Sequence, residues 1–92
     1  MIINNNGVIR QVIDVNGHKM QSVIAIEEMA ELQKELTKMI RNKGDHNHLV
    51  EETADVMICL MQIREMYNIG EIELQMMINQ KLERLKERLK NE

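Results

Sequence analysis

The sequence predicts an all-α fold: a small antiparallel helical bundle with a short first helix and three longer ones. Three observations carry that expectation. The 92 residues contain no proline and only four glycines, and they are rich in Glu, Lys, Gln, Met and Leu, which favour helix. Apolar residues recur at spacings of three and four, the period of one helix face. The interruptions fall at Asn16-Gly17, Gly44-Asp45 and Ile69-Gly70, where turn chemistry is expected.

The first helix spans residues 8–15, with Asn16-Gly17 as its terminator. The second runs over 19–41 on a stripe of Ala25, Met29, Leu32, Leu36, Met39 and Ile40. Lys38, Arg41 and Lys43 complement the negative end of its dipole, and Gly44 can supply the stop. Asp45 or Asn47 can cap the third helix, which continues to about residue 68 with Leu49, Val56, Cys59, Leu60, Ile63 and Tyr67 on one side. The last helix covers 71–90, with Leu74, Ile78, Leu82, Leu85 and Leu89 as its stripe. Short connections predict that consecutive long helices pack antiparallel.

The chain, residues 1–92, reads as one domain. A chain this small buries roughly 60–65% of its unfolded surface, so oligomerisation is expected to complete the fold. Tyr67 is the sole aromatic, and nine methionines must share the core with Leu, Ile and Val. A net charge of −3 argues against a nucleic-acid partner. Acid gathers in the middle, from Glu27 to Asp55, and base at the end, on Lys81, Arg84, Lys86, Arg88 and Lys90. One cysteine fits a reducing compartment. The opening MIINNNGVIRQ has no apolar signal region, and the longest apolar run, VMICLM, is too short for a membrane span. The expected location is cytoplasmic, with no membrane partner.

Glu52 is the residue that needs explaining. On a helical wheel it lies within about 40° of Val56, Cys59 and Ile63, inside the apolar stripe. A carboxylate there is costly unless something neutralises it. Asp55 stands one turn on, and Glu28 and Glu31 form a matching i, i+3 pair on the second helix. If the two stripes meet, four carboxylates converge, and their repulsion calls for a cation. An all-oxygen donor set suits Mg²⁺ first, with Mn²⁺ or Ca²⁺ next. Glu27, Glu35 and Glu51 read as solvated surface charge.

These residues also carry a family resemblance. EEMAE, Glu27 to Glu31, followed after twenty residues by ETAD, Glu52 to Asp55, resembles the EExxE…ExxD signature of the MazG-like all-α nucleotide pyrophosphohydrolases. The similarity extends over residues 8–88. It implies Mg²⁺-dependent cleavage of a nucleoside triphosphate to the monophosphate and pyrophosphate, in homodimers or homotetramers with active sites near subunit interfaces. It makes Glu28, Glu31, Glu52 and Asp55 the metal ligands and Glu27 a less certain first acid. Glu28 or Glu31 then also serves catalysis by orienting or deprotonating the attacking water.

On the last helix Lys81, Arg84 and Arg88 lie along one flank of the stripe, where they can meet phosphates. The resemblance suggests a catalytic role for Lys81 and Arg88, because many members carry Lys-x-x-x-Asn-x-x-Arg there. Leu85 stands in the Asn position, a departure that removes one polar contact to substrate. A solvated flank paired with Glu83 and Glu87 is the equal alternative. Tyr67 reads as a core or interface residue, the DHNH run from Asp45 to His48 as loop, and Cys59 as a buried structural thiol. Two rivals stay open: phosphoribosyl-ATP pyrophosphohydrolase, which uses a similar acidic motif, and a non-catalytic metal-binding or regulatory bundle. AIEEMAE in place of a glycine-led approach ranks the first lower, and Leu85 favours the second.

Overall fold

A computed structural model of the chain describes residues 6–91; the first five residues of the MIINNN opening and Glu92 lie outside the described part. Four α-helices and no strand are present among the described residues: α1 (Asn6–Asn16), α2 (His18–Ile40), α3 (His46–Met66) and α4 (Glu71–Lys90). The expected elements are all there, and their ends differ by at most two residues.

The joints are made by backbone geometry that the side chains permit. Gly17 takes φ 82°, a left-handed value that a side chain disfavours, and its N–H donates to Ile13 O at 2.7 Å. One residue thus ends α1 and starts α2, since Gly17 O accepts from Gln21 N. The expected stop at Gly44 is corrected: α2 ends at Ile40, and the left-handed turn that stops it falls on Asn42, which takes φ 57°. The N–H groups of Asn42 and Lys43 donate back to Met39 O and Lys38 O, satisfying carbonyls that the helix end orphans. Gly44 is instead needed for space, because a β-carbon there would collide with the Met39 side chain. Asp45 caps α3, its Oδ1 accepting from Asn47 N at 2.8 Å. His46 and His48 therefore sit in the first turn of α3 rather than in a loop. Asn68, φ 55°, closes α3 as Asn42 closes α2, with Ile69 N donating to Arg64 O. Before α4, Glu73 reaches back to accept from Gly70 N at 2.7 Å.

Helices α2 and α3 pack antiparallel, as the falling partners show: Ser22 meets Tyr67, Gln21 meets Gln62, and Glu28 meets Asp55. Helix α1 lies across both, burying Ile9 and Ile13 (one turn apart) against Met66, with Met61 and Ile63 beside them. A polar chain runs through this junction. Asn16 Nδ2 donates to Gln21 Oε1 at 2.9 Å, and Gln21 Nε2 donates to Gln62 Oε1 at 2.7 Å, both glutamines being almost fully buried. Arg10 and Glu65 close the outer edge at 2.7 Å. The core is small, and Ala25 and Cys59 are the other buried apolar residues among those described.

Helix α4 departs from the expected bundle. It packs against none of the other three helices and has no buried residue. Its stripe is open, from half-buried Leu74 to Leu89 at 73% exposure. A cleft of about 480 Å³ separates its first half from α1 and the end of α3, between Ile9, Met61, Arg64, Leu74 and Ile78. A four-residue joint held by Asn68 and Glu73 sets this direction, so a short connection did not yield antiparallel packing. No described helix is long and apolar enough to cross a membrane.

Candidate metal centre

The acidic group forms where the middle of α2 passes the first half of α3. Glu28, Glu52 and Asp55 each present a carboxylate oxygen, and these oxygens all lie within 4.8 Å of one another. Helical spacing explains the convergence. Glu52 and Asp55 are three apart on α3, and Glu28 reaches them from α2 beside buried Ala25. All three residues are half-buried. Cys59, one turn beyond Asp55, forms part of the floor and is 4% exposed; burial pushes its thiol pKa up, and the carboxylates of Glu28 and Asp55 add to the shift.

The electrostatics are unrelieved among the described residues. Removal from water raises the Glu28 pKa above 4.5, and the Asp55 charge, a hydrogen bond with Asp55, Glu52 and Glu31 raise it further. Glu52 is raised for the same first reason, then by Asp55, Glu31, Glu51 and Glu35. None of Glu28, Glu52 and Asp55 has an ion-pair partner among the described residues. Glu52 Oε2 is buried there without any hydrogen-bond partner. A carboxylate oxygen in that position is costly, and a cation is the partner that its charge calls for. Three hard oxygens at this spacing fit a divalent cation such as Mg²⁺ or Mn²⁺.

The remaining expected site residues fall into two sets. Glu31 is exposed at the rim, close enough to act on Glu28 and Glu52 through its charge but outside the tight group. Glu27 is exposed. Lys81, Arg84 and Arg88 are exposed on α4, which the fold of one chain does not bring to the acidic group. They form no ion pair among the described residues, since Glu83 pairs with Lys86 and Glu87 with Lys90. Of the two places expected for Tyr67, core or interface, the core is excluded within one chain: it is 56% exposed, with its hydroxyl 2.6 Å from Ser22 Oγ.

Sequence reasoning missed two residues. Glu35 is 7% exposed, not solvated, with Lys38 Nζ 3.4 Å from its Oε1, and its charge reaches Glu52. Its place one turn beyond Glu31 was the available signal. Gln62 is buried as the partner of Gln21, and its position three residues past Cys59 on the stripe was the hint. Compared with known proteins, the chain matches no family model, no curated protein and no solved structure.

Proposed function

We propose that the chain is a divalent-cation-dependent nucleoside triphosphate pyrophosphohydrolase of the MazG-like kind, cleaving an NTP or dNTP to the monophosphate and pyrophosphate. The observation that carries this reading is Glu52 Oε2, a buried carboxylate oxygen with no hydrogen-bond partner among the described residues, on a residue whose carboxylate is grouped with those of Asp55 and Glu28. Glu28, Glu52 and Asp55 hold the cation, with Glu31 as the outer acid of the set. Bound there, Mg²⁺ supplies positive charge that offsets the carboxylates and the triphosphate oxygens alike. The rest of the chemistry belongs to the chain. Glu31, exposed beside the trio, is free to orient the attacking water and take its proton. Lys81 and Arg88 hold the departing pyrophosphate by charge-assisted hydrogen bonds, and Arg84 can add to them. The half-buried floor around Cys59 keeps bulk water from one side of the carboxylates. No covalent nucleophile is required.

A second reading is favoured by two specific features. Leu85 replaces a polar residue of the family pattern, and α4 stands clear of the acids within one chain. A bundle that binds a cation without turnover would keep the trio and tolerate both.

The purified protein should be incubated with Mg²⁺ and a panel of canonical and modified NTPs, dNTPs and phosphoribosyl-ATP, with pyrophosphate followed. Release is expected from at least one nucleotide, falling on the order of a hundredfold or more in Glu52→Gln, the scale of lost transition-state charge stabilisation. Release only from phosphoribosyl-ATP would select the narrower enzyme class. Absence of release from every substrate, with Mg²⁺ binding intact, would establish the non-catalytic bundle instead.

A further inference from the structure

Two apolar stripes face each other across the cleft beside α1. On α4, Leu74, Ile78, Leu82, Leu85 and Leu89 lie within about 40° of one line along the helix, and Leu74 and Ile78 line the cleft. On α3, Val50, Ala54 and Met57 lie within about 40° of Met61, which lines the cleft from the other side together with Ile9 of α1. Val50 is 53% exposed, Ala54 is exposed and Met57 is half-buried, so this outer face of α3 is open. It lies about 180° round the helix from Glu52.

The two stripes also match in register. In an antiparallel pair one residue number falls as the other rises, so the numbers of facing residues keep a constant total. Met61 with Leu74, Met57 with Ile78, Ala54 with Leu82 and Val50 with Leu85 keep that total to within one. Met66, the last residue of α3, and Gly70, which caps α4, share it, so the short joint itself imposes this register. Arg64 and Glu71 hold it too, as opposite charges that line the cleft without an ion pair between them. A foreign partner has no reason to carry a register that the joint dictates, whereas the chain's own α4 does. The shape agrees: the Cα radius of gyration is 16.0 Å, and a compact domain of this length has about 12 Å.

We propose that α4 is a hinged arm: it swings about residues 67–70 and closes the cleft, laying Leu74, Ile78, Leu82 and Leu85 on the outer face of α3 as an antiparallel pair. The structure holds the arm open, with Asn68 at φ 55° in the hinge, and burial of the two stripes drives it shut. The closed arm leaves the acidic group uncovered, because Glu52 lies on the opposite side of α3. It also carries Lys81, Arg84 and Arg88 on the outer side of α3, away from the acids. The hinge stands independently of any turnover. Its consequence, that closure withholds these bases from a bound phosphate, rests on the hydrolase reading above.

The test needs no substrate. For dilute full-length protein, X-ray scattering should give the 10.8 kDa mass of one chain and a radius of gyration well below 16.0 Å. Ile78→Glu, on a helix that packs against none of the others in the open form, should return the radius to the open value while keeping the helical circular dichroism. Paired cysteines then read the register. Ala54→Cys with Leu82→Cys, in a Cys59→Ala background, should join under mild oxidation as a disulfide within one chain. Ala54→Cys with Glu83→Cys, about 140° round α4 from Ile78, should not. A radius near 16.0 Å for the wild type, a doubled mass, a disulfide that joins two chains, or no disulfide at all overturns the hinge. If the cysteine variants fail to fold, the scattering of wild type and Ile78→Glu still decides. A protein whose arm closes yet releases no pyrophosphate would fail the hydrolase reading alone, and one that releases it with the arm always open would fail the hinge alone.

Discussion

At the residue scale, Glu52 was legible because its sequence neighbours are apolar at helical spacing, and a carboxylate does not sit in such a stripe by solvation. Its pH behaviour follows from the direction of its shift. A carboxyl whose folded pKa is raised above the unfolded value binds more protons in the native state between those two pKa values. Stability contributed by the protonated form is therefore present at low pH and lost as pH rises from about 4.5 through the raised pKa of Glu28 and Glu52. Without divalent cation, the melting temperature should fall across that window. Glu52→Gln should flatten the fall and melt higher than wild type above it; a variant that melts lower than wild type there would sink the claim of unrelieved charge. Gln62 was less legible, because the burial of a polar residue is decided by its partner. Gln62→Ala removes the acceptor of Gln21 Nε2 in a site that water does not reach. The expected loss is about 1–3 kcal/mol by urea unfolding, and less when Gln21 is replaced by Leu in the same chain.

At the element scale, all four helices were readable and their stops only in part. Periodicity and composition determine where a helix runs, and α4 was read to the residue. A stop depends on which residue accepts a left-handed backbone, and at the end of α2 that is Asn42, two residues before the glycine. Replacing Gly44 should accordingly cost stability through a clash with Met39, not through backbone strain. Gly44→Ala paired with Met39→Ala should recover part of what Gly44→Ala loses in urea midpoint, which a purely conformational role would not allow. The cap is a separate contribution: Asp45→Ala frees Asn47 N and should cost about 1 kcal/mol, read as a drop of some 4–8 °C in melting temperature for a domain near this size.

At the scale of the whole molecule, the sequence revealed which surfaces are apolar but not which surfaces meet. The stripe of α4 has the spacing of a core helix, yet within one chain it covers nothing. Spacing specifies a face, and the partner of that face is set by the direction of the joint before it. The acids show the same limit, since i, i+3 pairs bring Glu28, Glu52 and Asp55 together while leaving Glu31 at the rim and admitting Glu35 to the interior. A cation bound by this group links its charge to global stability. A ligand that binds only the folded state stabilises by RT ln(1 + [L]/Kd), about 2.7 kcal/mol at a hundred times Kd. Mg²⁺ or Mn²⁺ should raise the wild-type melting temperature progressively with concentration, and a chelator should reverse the rise. The same titration on Glu52→Gln should be nearly flat, although that variant starts from the more stable cation-free state. Equal responses in both proteins would mean that the cation binds elsewhere, whereas a response that is lost only in Glu31→Gln would shift the centre outward to the rim.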